Sequence, residues 1–190
     1  MLRIDAENMA IGGVSSGGHL AAIVAQRCRT VGIHLKSQIL TVPITDLTAL
    51  DDHWNIRPDC PYSSYLENAS APCLSIERMQ FFMNHFLGPS MPHPPPAANP
   101  AILPPEVELS PIKAGSLKGL APAMVNTADV DPIRDDGEAY ARKLQADGVP
   151  VRLKRFMGMP HPFMFMDGAL PEAREYVQDS VDALKRAFSS

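Results

Sequence analysis

Three residues far apart in the chain have the types and the order that covalent chemistry needs. Gly13-Val14-Ser15-Ser16-Gly17 fits G-x-S-x-G, where small residues leave room for a tight strand-to-helix turn carrying a serine. A serine hydroxyl is a poor nucleophile until a base takes its proton, and that base needs a carboxylate to hold its tautomer. His161, in GMPHPF, is the candidate base and Asp131, in ADVDPIRDDG, the candidate acid. Asp129 is an alternative acid, two residues earlier on the same side of an extended chain. The Ser16 N–H, with the dipole of the helix behind it, points to where an oxyanion would form. The competing reading of Ser15 is a glycine-rich turn whose serine is simply hydrogen-bonded.

Such residues meet only if the intervening elements bring them to one end of a sheet. Residues 9–14 form a short apolar run ending in glycines, which predicts a buried strand. Residues 17–29, rich in Ala, Leu, Ile and Val, predict a helix, and its small residues let it lie close to a sheet. Further strands are predicted over residues 34–43, 121–127 and 149–156, the last alternating Val149, Val151 and Leu153 against Arg152 and Lys154. A helix follows Asp131, which can cap it, with Pro132 in its first turn and Gly148 as its stop. Residues 75–87 place Ile76, Met79, Met83 and Phe86 at helical spacing, with Phe82 beside them. A last helix over residues 171–188 puts Tyr176, Val177, Val181, Leu184 and Phe188 on one face, with acids near its start and Lys185 and Arg186 near its end.

The expected fold class is α/β, one domain over residues 1–190 with a mainly parallel sheet and flanking helices. Residues 46–120 form a lid-like excursion that includes a proline-rich, loop-like stretch over residues 91–111. In this order Asp131 follows the third strand and His161 the fourth. One helix and one strand between them return both side chains to the same end of the sheet.

Bulk properties narrow the partners. A net charge of −4 over 190 residues gives no electrostatic reason to expect nucleic acid or an anionic membrane. No segment reaches the roughly 18 apolar residues of a membrane span, and residues 1–14 do not read as a signal peptide. Cys28, Cys60 and Cys73 lack metal-like spacing and predict reduced thiols in a cytoplasmic protein. His34, His53, His85 and His93 have no spacing for zinc, so no metal is expected.

Three segments resemble the hormone-sensitive-lipase-like α/β-hydrolases, a family of carboxylesterases and lipases. GGVSSGGHLAA resembles the family's nucleophile elbow, ADVDPIRDDGEAYARKLQADGVPV its acid block and FMGMPHPF its histidine block. The resemblance implies Ser15 as nucleophile, Asp131 as acid and His161 as base, acting on small carboxylic esters with no cofactor or metal. Val14, Ser16, His19 and Pro162 depart from the usual Asp, Ala, Asn and Gly. His19 reads either as a substrate-binding residue or as a hydrogen-bonded substitute for the asparagine.

The H-G-G-G loop that completes the family's oxyanion hole has no match ahead of the elbow. The likeness is therefore to the C-terminal portion of the fold, without its N-terminal strands. Two expectations follow. The first strand has an open edge that a second copy or a partner chain covers, and turnover is weak without a second oxyanion donor. Met79, Phe82, Met83 and Phe163 are candidate substrate-binding residues; the same Met/Phe stripe also reads as plain core or as a docking face. The rival to an esterase is a non-catalytic relative that uses the fold for binding.

Overall fold

Alternation along the strands decides which helix covers which face of the sheet. The computed structural model describes residues 5, 7–89 and 105–189. Four parallel strands lie in the order β1 (Ala10–Val14), β2 (Ser37–Thr41), β3 (Ala123–Val130), β4 (Val151–Pro160). Leu40, Val125, Val151 and Leu153 join the largest buried cluster with Ala21, Ala22 and Ile23 of α1 (Ser16–Thr30) and Tyr140, Ala141 and Leu144 of α5 (Arg134–Ala146). Their neighbours in sequence face the other way. The Thr41 hydroxyl donates to the Tyr176 hydroxyl, and Arg152 and Lys154 pair with Asp179, both partners on α6 (Pro171–Ser189). The sheet is thus covered by α1 and α5 on one face and by α6 on the other.

The excursion after β2 builds a core of its own. A 3₁₀ turn at Leu47–Ala49, α2 (Ser64–Glu67) and α3 (Ile76–Phe86) surround Trp54 and Tyr65, both fully buried, and reach Leu109 of α4 (Pro105–Leu109) and Ile133. Trp54 closes it by donating from Nε1 to the Gly88 carbonyl at 2.9 Å. No hydrophobic period runs through residues 46–71, because turns that fold onto an aromatic centre leave no repeat.

The elements agree with the sequence reading to within a few residues, with three differences. Helix α5 starts at Arg134 rather than in the Asp131–Pro132 pair, and the Asp131 carboxylate instead accepts the Ile133 N–H at 3.1 Å. Most of the proline-rich stretch lies outside the described residues, and its described end forms α4 and a second 3₁₀ turn, Pro111–Lys113, rather than open loop. The apolar face of α6 is covered mainly near its start: Ala173 is fully buried, whereas Val177, Val181 and Phe188 stay exposed. Among the described residues, no helix is long and apolar enough to cross a membrane.

Candidate active site

Ser15, Asp131 and His161 all sit just beyond or at the carboxyl ends of strands, as parallel connections dictate. Ser15 follows β1 with φ 57° and ψ −120°, a conformation costly for a residue with a side chain. Two contacts hold it: its N–H donates to the Thr41 carbonyl at 2.8 Å, and its own carbonyl accepts the His19 N–H at 3.0 Å. Room for the turn comes from Gly13, where a Cβ would lie 2.1 Å from the Gly17 carbonyl oxygen. Ser16 opens α1, so its N–H is among the helix-start donors that lack an intrahelical partner.

His161 leaves the end of β4 and is buried, as is Asp131. Its Nδ1 lies 2.8 Å from Asp131 Oδ2 and its Nε2 2.8 Å from Ser15 Oγ. The pairing assigns the tautomer: Nδ1–H donates to the carboxylate and Nε2 accepts the serine proton. Asp129 is engaged elsewhere. Its carboxylate accepts the Gly158 N–H at 3.1 Å and faces Arg155 at 3.8 Å.

An apolar cavity of about 620 Å³ opens beside Ser15, lined in part by Leu20, Ile44, Met79, Phe82 and Met83. Met79, Phe82 and Met83 therefore reach the candidate site, although Met79 also joins the core of the excursion. Phe163 does not. It is fully buried beneath the His161 turn, 4.6 Å centroid to centroid from Phe156 and edge-on to Tyr176, so its place in a substrate pocket is corrected to core. The 3₁₀ turn Phe163–Phe165 directs one phenylalanine inward and leaves the other exposed.

Two polar residues near the site do more than their sequence context suggests. Asp136, in the first turn of α5, is fully buried and accepts the Thr45 N–H at 3.0 Å, the Thr45 hydroxyl and the Asp46 N–H. Burial pushes its carboxyl up to about 7, against the pull of those donors. It ties α5 to the turn that carries Ile44. Both ring nitrogens of buried His19 lie within hydrogen-bond distance of backbone carbonyls, one of them from this same turn.

Residues 1–165 match the family described as the alpha/beta hydrolase fold. The chain belongs to that family. Carboxylesterase NlhH of Mycobacterium tuberculosis is 34% identical over 185 residues, covering 97% of this chain and 52% of the relative. Esterase LipI from the same organism is 32% identical over 182 residues, covering 95% and 50%. The crystal structure of a thermostable esterase from Pseudomonas putida ECU1011 superposes with a TM-score of 0.75 at 31% identity, covering 96% of this chain and 52% of that one. The resemblance carried by the elbow, acid and histidine blocks is thus met by the family match and by relatives named esterases. The chain spans about half the length of the curated relatives it matches.

Proposed function

We propose that this chain is the catalytic portion of a serine carboxylesterase acting on small carboxylic esters. The observation that carries the reading is the continuous pair of 2.8 Å contacts from Ser15 Oγ through the His161 ring to Asp131. His161 Nε2 takes the hydroxyl proton as Ser15 Oγ attacks the ester carbonyl, and Asp131 holds the imidazolium that forms. The Ser16 N–H donates to the carbonyl oxygen as it becomes an oxyanion. His161 then gives its proton to the departing alcohol, leaving an acyl group on Ser15. A water deprotonated by the same nitrogen attacks the acyl carbon, releases the acid and restores the hydroxyl. Leu20, Met79, Phe82 and Met83 supply the apolar wall for the substrate's hydrocarbon part.

The test is labelling with a fluorophosphonate. Ser15 is expected to label covalently, Ser15→Ala to abolish labelling, and His161→Ala to reduce its rate by 10³-fold or more, about 4 kcal/mol. A folded protein that does not label at Ser15 defeats the esterase reading.

A second reading rests on the open side of β1, the edge strand of the described sheet. Met9 and Ser15 direct backbone groups toward the β2 side, so the intervening alternation turns those of Ala10, Gly12 and Val14 outward. In this reading a second copy, or a chain supplying the complementary half, pairs with that edge and contributes the second oxyanion donor, in a cytoplasmic setting. The isolated chain then turns over p-nitrophenyl acetate slowly, roughly 10²–10³-fold below an esterase with a complete oxyanion hole. If the chain is strictly monomeric and cleaves this ester at ordinary efficiency, the second reading fails. If it self-associates but never labels, a non-catalytic binding domain replaces the first.

A further inference from the structure

His19 lies one turn into α1 and is 8% exposed. Its Nδ1 is 3.0 Å from the Ile44 carbonyl oxygen and its Nε2 is 3.1 Å from the Glu108 carbonyl oxygen. Both partners only accept hydrogen bonds. A neutral imidazole has a single N–H, so it satisfies one carbonyl and turns a lone pair on the other; only the imidazolium donates to both. His19 itself lines the apolar cavity, and the two carbonyls belong to different segments. Ile44 lines the apolar cavity beside Ser15, and Glu108 lies in α4, whose carboxylate pairs with Arg27 two turns further along α1.

We infer that His19 is a positioning residue for the wall of the apolar cavity, closing both Ile44 and α4 onto α1 only when its ring carries two protons. The use of that cavity for substrate rests on the esterase reading above; the clasp itself does not. Each contact bridges a long stretch of chain, so losing one frees a backbone segment and not merely a side chain. An asparagine at this position, the usual residue of the resembled family, has no ring and no second proton to gain.

The groups around it set the direction. Burial draws the ring below the ordinary histidine range, and the two carbonyls oppose that pull. Of the charges nearby, Arg27 and Glu108 neutralise each other across α1 and α4. Asp46, one residue past Thr45, accepts the Tyr62 hydroxyl and lies 3.7 Å from Lys113 Nζ. From α5, Asp136 holds the Thr45 N–H, and from α3, His85 lines the same cavity. Two protons on the ring, and the closed wall, therefore belong to solution more acidic than the ordinary histidine range, and one contact opens as the pH rises through the lowered value.

The decisive measurement is nitrogen NMR of the His19 ring in the 190-residue chain, from pH 8 down to the acid limit of the fold. The expected result is two ring N–H groups at the acid end and one at the other, with the Leu109 amide, which reports on the Glu108 peptide, or the Thr45 amide, which reports on that of Ile44, shifting along the same curve. Asp136 also titrates the Thr45 amide, so His19→Asn is the control: the component that follows the ring disappears and the Asp136 component remains. The ratio of kcat/KM for p-nitrophenyl butyrate to that for the acetate is expected to change about threefold over this range in the wild type and to stay flat in His19→Asn. Taking the ratio cancels any pH effect that the two esters share. A ring with one N–H throughout, or a titrating ring that neither amide follows, overturns the inference. If the ring and an amide move together while neither ester is cleaved, the clasp stands and the esterase reading falls.

Discussion

At one margin of the sheet, β4 runs for ten residues with Arg152 and Lys154 paired to Asp179 and Arg155 paired to Glu138. At the other, β1 runs for five, AIGGV, without a charged side chain, and its Gly12 lies exposed. Charged side chains are what an edge strand uses to discourage pairing. β4 is built as an edge, and β1 has the composition of a strand with neighbours on both sides. The exposed Val177, Val181 and Phe188 on α6 add apolar surface to the same impression. The candidate nucleophile lies at the end of the bare strand, and its histidine at the end of the protected one. The difference teaches that the candidate serine and the candidate histidine hang on margins of unlike composition.

The sharpest test of this contrast compares a glycine near each margin. Gly13→Ala drives a Cβ into the Gly17 backbone, so a loss of about 3 kcal/mol or more in chemical denaturation is expected, with loss of Ser15 labelling. Gly158→Ala on β4 meets nothing within 4 Å and costs only the strain of φ 71°, about 1 kcal/mol. Equal losses would erase the distinction. Next in size, Ala10→Lys places a charge on the bare edge, and under the proposed pairing of that edge it is expected to weaken self-association in light scattering by tenfold or more, about 1.4 kcal/mol. An association unmoved by that charge would show that β1 is not the contact.

The smallest effect belongs to the protected side. Asp179→Asn removes the carboxylate that Arg152 and Lys154 share, leaving Lys154 with Glu175, and about 0.5 kcal/mol is expected at low salt, vanishing at 1 M salt. Burial pushes the Asp179 carboxyl up, but Lys154 and Arg152 outweigh it and hold the carboxyl below its usual range. The contribution is therefore present above the unfolded value near 3.8 and lost as the pH falls through the lower folded value. A larger loss for Asp179→Asn than for Gly13→Ala would reverse the ranking of the two margins.

Much of this arrangement is legible along the chain. Alternation in Val151-Arg152-Leu153-Lys154 already separates the face that meets α5 from the one that meets α6, because a strand turns successive side chains to opposite sides. The G-x-S-x-G turn, with Asp131 and His161 each after a later strand, marks where candidate chemistry gathers. Phe163 was not legible as core: it sits among Met159, Met164, Phe165 and Met166, equally apolar neighbours of His161, and only the 3₁₀ turn decides which of them points inward. Nor was the role of Asp136. Asp135 beside it meets Ser64 and Arg134 at the partly exposed rim, while one step around the helix carries Asp136 into full burial against Thr45.

What the residues determined alone was local: the periods of strand and helix, the small side chains that permit the Ser15 turn, and the order of serine, aspartate and histidine. Those follow from sterics and spacing within a few residues of each position. The tertiary structure decided which carboxylate meets His161, which aromatic side chains reach the cavity, and which carbonyls flank His19. Each of those is a meeting of groups tens of residues apart, and their separation depends on how whole elements pack, which no short stretch of chain encodes.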